Sequence, residues 1–336
     1  MQAAYYTRFG HPRDVLQLGE LTKPEPAAGE VRVRLAFTGL NPVDWKLMAG
    51  QRSASMPFAC VVPCSDGAGI IDAVGEGVST HRVGQRVWVI NGQVRRSMGA
   101  AAQYIAMGVE HVHALPDSVP LEVGACLGIP ALTAYRALTL DGPVRGQQVL
   151  ITGGAGAVGH YAIQIAKAHG ARVLTTVSSE EKARHALAAG ADAVIDYKRE
   201  SVAARVLEFT GGSGVDRILE TDLAANLDSL LPSLKQGGLV AIYGSATDMA
   251  PKIPVAPFLL KDARLHFVSV FVVPDDARCS AVNEINQMLE RGELKHTIAA
   301  TFPIADIVAA YDMVIEGRQL GKVLLAIDAE DGRRHV

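Results

Sequence analysis

The chain has 336 residues, 49% of them hydrophobic and 20% charged, with a formal net charge of −3. That length calls for about two domains around a substantial core and excludes a disordered chain. The small net charge excludes a broadly basic nucleic-acid binder, and 5% aromatic content leaves little for stacking single-stranded bases.

The opening, Met1-Gln2-Ala3-Ala4-Tyr5-Tyr6, lacks the basic stretch and apolar run of a signal peptide. The longest apolar stretches, residues 123–135 and 265–273, fall short of the roughly 18 residues a spanning helix needs. Four scattered cysteines are too few to staple such a chain. A soluble, cytoplasmic protein with no membrane and no nucleic-acid partner is the expectation.

Residues 31–37 alternate apolar and polar with period two, as a half-buried strand does. The apolar pieces of residues 66–78 are split by glycines, which permit bulges and tight turns. Residues 83–90 read as a strand ending at the turn pair Asn91-Gly92. Near Pro120 the texture changes to short apolar strands alternating with helix-length segments. Strands are predicted at 147–152, 172–177, 193–195, 216–220 and 239–243. Helices are predicted at 158–169, closed by Gly170, at 180–189, closed by Gly190, at 202–209, and at 224–231, stopped by Pro232. Such repeated βα punctuation implies a parallel sheet covered by helices. Beyond it, residues 265–273 read as a buried strand, 281–291 and 304–316 as helices, and 322–327 as a last strand. The tail, 328–336, is polar and expected to fray.

Gly154-Ala155-Gly156-Ala157-Val158-Gly159 is a G-x-G-x-x-G run that follows a predicted strand and opens a predicted helix. That context is what gives it meaning. Gly154 allows a tight turn, Gly156 lets the backbone approach a pyrophosphate, and Gly159 lets helix and strand pack closely. The amides at the helix start, from Ala157 and Val158 on, then face phosphate.

The next strand discriminates between nucleotides. An NAD site wants a carboxylate at its end to hold the ribose 2′-hydroxyl. Here the strand ends in Ser178-Ser179, whose hydroxyls can donate to a 2′-phosphate, and Lys182 supplies positive charge one turn later. Tyr197, after the following strand, adds a phenolic donor. Glu180 and Glu181 suit the first turn of a helix. The reading favours NADPH over NADH.

With these residues placed, the chain resembles the medium-chain dehydrogenase/reductase superfamily, in its zinc-independent quinone oxidoreductase (zeta-crystallin-like) branch. Gly39-Leu40-Asn41-Pro42-Val43-Asp44-Trp45-Lys46 is similar to the family's G-x-N-x-x-D segment. Pro63-Cys64-Ser65-Asp66-Gly67-Ala68-Gly69 is similar to P-G-x-[DE]-x-[AS]-G, with Cys64 in place of a glycine. Val83-Gly84-Gln85-Arg86-Val87 resembles V-G-D-R-V, and Gly128 to Tyr135 the segment entering the nucleotide domain. Gly321-Lys322-Val323 closes the series. The N-P-V-D-x-K form, with Lys46 where simple quinone reductases carry tyrosine, is similar to plant-type alkenal and oxoene reductases.

The resemblance implies an α/β fold: a Rossmann nucleotide-binding domain, residues 124–265, inserted into a GroES-like β-rich catalytic domain, residues 1–123 and 266–336. It implies NADPH in the cleft between domains and a homodimer. Asn41, Lys46 and Thr133 are expected at the nicotinamide end as catalytic residues. Tyr135, Thr221, Gly244, Ser245, Phe271 and Lys322 are expected to join the glycine loop, Ser178, Ser179, Lys182 and Tyr197 in binding the cofactor.

Zinc-dependent relatives need a cysteine, a G-H-E segment and a later cysteine or histidine. This chain has Asn41 to Asp44 and Ser65-Asp66 at the first two places. Cys60, Cys64, Cys126 and Cys279 lack partners at metal spacing, and His111 and His113 lack a third ligand. No zinc is expected. Without a metal, reduction of an isolated carbonyl lacks an electrophile. A quinone or α,β-unsaturated carbonyl delocalises charge onto an oxygen that needs only hydrogen bonds, from Asn41 or Lys46. Asn41 before Pro42 is equally a turn residue by its sequence. An alcohol dehydrogenase on the same scaffold and a non-catalytic NADPH-binding module are the alternatives. Residues 267–273 form either a sheet-edge strand that pairs with a second copy or a central buried one.

Overall fold

A computed structural model describes residues 1–327. The chain opens with the hairpin β1 (Gln2–Tyr5) and β2 (Gln17–Glu20), around the single turn α1 (Pro12–Val15). Then come β3 (Glu30–Gly39), α2 (Pro42–Met48), β4 (Asp66–Val74), β5 (Arg86–Val89), β6 (Tyr104–Gly108), β7 (Val112–Ala114) and α3 (Leu121–Thr139). The βα run follows: β8 (Gln148–Ile151), α4 (Ala157–Ala168), β9 (Arg172–Val177), α5 (Glu180–Ala188), β10 (Ala193–Asp196), α6 (Val202–Phe209), β11 (Val215–Glu220), α7 (Leu223–Ser233), β12 (Leu234–Ile242), α8 (Val255–Leu260) and β13 (Arg264–Phe267). The described chain ends with α9 (Asp275–Glu290), β14 (Ile298–Pro303), α10 (Ile307–Glu316) and β15 (Lys322–Ala326).

Two units form. The first takes Met1–Ile129, Asp275–Gly292 and the chain from His296; the second takes Pro130–Pro274 and Glu293–Lys295. The boundaries fall six and nine residues later than the sequence reading set them, at 129/130 and 274/275.

The first unit is built on a GroES-like sheet of order β14-β15-β3-β4-β5-β7, with β6 pairing β3. β15 lies antiparallel to β3, Leu325 opposite Thr38, so the last strand completes a sheet begun near the N-terminus. Leu35, Ile71, Ile105, Met107 and Tyr311 fill its core. The second unit is an all-parallel sheet of order β10-β9-β8-β11-β12-β13. In order of appearance this is 3-2-1-4-5-6, the Rossmann arrangement, with its reversal point between β8 and β11. Apolar β-branched residues recur in its strands because helices cover both faces.

The bulges and turns that glycines permit in residues 66–78 are present: β4 pairs β3 with register shifts, one of them opposite Gly69 and Ala68, and a turn follows at residues 76–77. Gly69 is pressed against β3, where a Cβ would lie 2.0 Å from the Arg34 carbonyl oxygen. Two expectations are corrected. Pro232 does not stop α7 at Leu231: the helix runs to Ser233, with the proline in its last turn. Residues 265–273 are not a buried strand. β13 stops at Phe267, lies at the sheet edge with Phe267 65% exposed, and is followed by a 3₁₀ turn at Val270–Val272. Apolar composition alone does not distinguish an edge strand from a central one. The tail expected to fray lies outside the described residues. Among the described residues, no helix is long and apolar enough to cross a membrane.

Candidate cofactor and active site

The glycine loop sits at the C-terminal end of β8, at the reversal point of the second unit's sheet. Its tight turn belongs to Gly153 (φ +70°), one residue ahead of the fingerprint. The Gly153 amide donates to Thr176 Oγ1 at 2.9 Å and the Gly154 amide to the Thr176 carbonyl at 3.1 Å. Gly154 is there for clearance: a Cβ would lie 2.0 Å from Thr175 Oγ1. Gly159 is likewise pressed against the loop, 2.4 Å from the Gly153 carbonyl oxygen for any Cβ. Gly156 is exposed and meets only the Gly153 carbonyl, at 3.3 Å, so its outer side is open to a ligand. Behind it, Ala157, Val158 and Gly159 form the first turn of α4, whose amides have no carbonyl partner within the helix.

β9 ends at Val177, and Ser178 and Ser179 follow it. Ser179 caps α5, its hydroxyl oxygen accepting from the Lys182 amide at 3.3 Å and keeping its proton for another partner. Lys182 is half-buried, whereas Glu180 and Glu181 are exposed. The Tyr197 amide donates to the Val177 carbonyl at 3.2 Å, which brings the exposed Tyr197 beside the end of β9. The structure therefore gathers Ser178, Ser179, Lys182 and Tyr197 at one strand end. Asp196, next to Tyr197, is taken up by the Lys198 amide and Arg199, and Glu180 and Glu181 lie in the first turn of α5.

Thr221 and Gly244 also converge on the loop. Thr152 Oγ1 accepts from the Thr221 amide at 2.9 Å, and the Thr221 methyl would lie 3.3 Å from a Cβ on Gly153. The Leu223 amide donates to the Gly244 carbonyl at 3.1 Å. Ser245 is already engaged: it accepts from the Ala224 amide and donates to the Asp248 carbonyl. Sequence reasoning missed Glu220, whose buried carboxylate accepts from the Asp222 amide and from Asn226 Nδ2 and so shapes the loop carrying Thr221. Burial pushes its carboxyl up. A lone acid after Ile218 and Leu219 was the available signal.

Tyr135 is not part of this gathering. Its ring lies edge-on to His169, 6.3 Å away, at the C-terminal end of α4, while the glycine loop is at the other end of that twelve-residue helix, about 18 Å distant. Thr133, buried on the same helix, is two positions away and so faces nearly the opposite side. Phe271 is half-buried in the turn after β13.

In the first unit, Asn41 caps α2 and is 3% exposed. Its Nδ2 donates to Asp66 Oδ2 at 2.8 Å and to the Gly39 carbonyl at 3.3 Å, and its Oδ1 accepts from Lys322 Nζ. Lys322 is also ion-paired to Asp66 at 3.2 Å. Both residues thus turn inward: the Asn41 amide protons and the Lys322 ammonium bond within the first unit instead of pointing at a ligand. Lys46, on the last turn of α2, is half-buried beside the Trp45 ring.

The positions at which zinc relatives carry ligands do not fit that metal. Asn41 Oδ1 and Asp66 Oδ2 share the Lys322 ammonium, and neither cysteine nor histidine joins them. Among the described residues, no group of three or more His, Cys, Asp or Glu is arranged to hold a metal. Cys126 is a buried thiol that donates to the Glu122 carbonyl, and Cys279 is exposed.

Comparison with known proteins agrees with this architecture. The alcohol dehydrogenase GroES-like domain family matches residues 27–117, and the zinc-binding dehydrogenase family matches residues 157–287. The human quinone oxidoreductase is 30% identical over 332 residues, covering 97% of this chain and 98% of that protein. A mycobacterial protein solved with NADPH superposes with a TM-score of 0.88 at 29% identity, covering 97% of this chain and all of the other. The Escherichia coli quinone oxidoreductase, also solved with NADPH, superposes at 0.86 with 26% identity, over 97% and 100% of the two chains. A parallel 3-2-1-4-5-6 sheet with a glycine loop at its reversal point, a GroES-like unit closed by the last strand, and these full-length matches together show that the chain belongs to the medium-chain dehydrogenase/reductase superfamily, among its quinone oxidoreductases.

Proposed function

We propose that the protein is an NADPH-dependent oxidoreductase that transfers a hydride to a quinone or an α,β-unsaturated carbonyl without zinc. The observation that carries the reading is the end of β9, where two serine hydroxyls, Lys182 and Tyr197 gather, while the exposed Glu180 and Glu181 belong to the first turn of α5. A 2′-phosphate finds donors there; a bare 2′-hydroxyl finds no acceptor of the usual kind. The bound cofactor supplies the hydride. The amides of Ala157, Val158 and Gly159 would hold its pyrophosphate, and Thr221 and the Gly244 backbone would line the path beyond.

Zinc-independence is supported by the Lys322 ammonium, which neutralises Asp66 where a metal ligand would be needed. An acceptor that spreads its charge over a conjugated system then needs only hydrogen bonding. Lys46 is the donor we assign to it; Thr133 stays a second candidate. Asn41 is assigned a supporting role because its amide protons bond to Asp66 and Gly39. Four free thiols fit a reducing, cytoplasmic setting. The outer edge of β13, with Phe267 at 65% exposure, and the exposed Leu260 of α8, at 83%, fit pairing with the same strand of a second copy in a homodimer.

Stopped-flow mixing of NADPH-loaded protein with quinones and enals tests the activity; NADPH binding without oxidation by any acceptor refutes it. Lys182→Ala should weaken NADPH binding roughly tenfold or more and leave NADH binding nearly unchanged. Equal losses for both nucleotides refute the 2′-phosphate assignment.

A further inference from the structure

We infer that Asp44, Asp66 and Lys322 form a positioning cluster that holds Asn41, and through it the helix carrying Lys46, and that the two carboxyls of this cluster carry one proton between them. The inference deepens the proposed function in assigning the cluster to Lys46, and rests on it for that part alone.

Asn41 joins the two acids. Its backbone amide donates to Asp44 Oδ2 at 2.7 Å and its side-chain amide to Asp66 Oδ2 at 2.8 Å. Lys322 closes the ring by donating to Asn41 Oδ1 and to Asp66. The orientation of the Asn41 amide follows, since an ammonium requires its oxygen and a carboxylate its nitrogen. Asp66 Oδ1 accepts from the Ile129 amide at 2.9 Å, and Gly128 leaves room for that oxygen, since a Cβ there would lie 2.1 Å from it. The N-terminus of α2 is thereby fastened to β4 and β15, one turn from Lys46.

The charges do not balance with both acids ionised. Asp44 and Asp66 are fully buried, Lys322 is 5% exposed, and theirs are the only charges facing one another there among the described residues. The other titratable neighbours are neutral: Cys64, Cys126, Tyr311 and Tyr6, each pushed up by burial. One ammonium against two carboxylates leaves a net buried negative charge, which protonating one acid removes. Asp44 is the member to hold the proton. Its Oδ1 has no partner, and burial followed by the Asp66 charge pushes its carboxyl up to about 7. With Asp44 protonated the cluster is neutral. As the proton leaves, the second carboxylate competes with Asn41 for the ammonium.

The direct test is infrared difference spectroscopy of the full chain, titrated from about pH 5 to about pH 9. A carboxylic-acid carbonyl band should vanish with a midpoint near 7. The component that vanishes near 7 should be missing in Asp44→Asn, and Lys322→Met should move its midpoint upward, since the ammonium that favours ionised Asp44 is gone. A wild-type spectrum without the band, or one that Asp44→Asn leaves intact, overturns the shared proton. In turnover, the KM for the acceptor should rise roughly tenfold across neutrality in the wild type and lose that dependence in Asp44→Asn, with kcat moving less. A KM that is flat with pH in the wild type overturns the positioning role. The infrared reading needs no turnover, so failure of the protein to reduce any acceptor strikes the proposed function and leaves the cluster to be judged on its band.

Discussion

Single side chains in this protein make sense only against their burial. His113 packs against Trp88 with the rings tilted by 53° and their centroids 5.1 Å apart, and burial, then Arg278, His111 and Arg82, drives its imidazole down to about 3. His160, stacked on His185 at 4.5 Å, is driven to about 4 by burial and then by His185. Both folded values lie below the ordinary 6.5, so both rings favour folding while neutral. That contribution is present above about pH 6.5 and is lost as the pH falls toward the folded values. At about pH 5 each costs on the order of 1–2 kcal/mol. Thermal unfolding of His113→Gln should therefore depend less on pH between about 6.5 and 5 than that of the wild type; parallel curves would contradict the burial effect. Cys64 is a different case. It holds φ +76°, a conformation suited to the glycine that relatives carry there, and its thiol lies 3.2 Å from the Tyr311 hydroxyl in the core. The sequence showed the replacement; the compensating contact needed the fold, because Tyr311 is 247 residues away.

At the scale of elements, the βα half was legible. Strand β9 and helix α6 coincide with their predicted spans, and Gly170 and Gly190 end their helices with positive φ. These are local effects: caps, periodicity and left-handed glycines act within a few residues. The glycine loop was legible as a motif, yet the division of labour among its glycines was not, since Gly154 answers to Thr175 on the next strand. Gly159→Ala should disturb the loop itself: its Cβ would sit 2.4 Å from a backbone oxygen that cannot rotate away. A loss of about 1–3 kcal/mol in stability and a marked weakening of NADPH binding are expected, read by thermal shift and by nucleotide titration. Unchanged nucleotide affinity would show that the packing of α4 on the loop is not what shapes it. The element reading failed at β13, where the order of strands in the sheet decides whether an apolar segment is interior or edge.

The whole chain is organised by a strand that arrives last. β15 pairs with β3, so the first unit exists only after the chain has gone through the second and returned. The proposed second copy belongs to this scale as well. Sedimentation should show a dimer, and Phe267→Asp on the open edge of β13 should shift it to monomer. A wild-type monomer would remove the homodimer from the reading. What the sequence determined by itself was the sequence-local part: the βα rhythm, the phosphate loop, the serine pair after β9 and the lack of metal-ligand spacing. The tertiary structure decided the rest. Lys322 stood in the sequence as one more cofactor contact, and only the β15–β3 pairing revealed that its ammonium is buried against Asn41 and Asp66. A buried charge must find its counter-charge wherever the fold has placed one, and those partners lie 281 and 256 residues away, beyond any spacing a motif can encode.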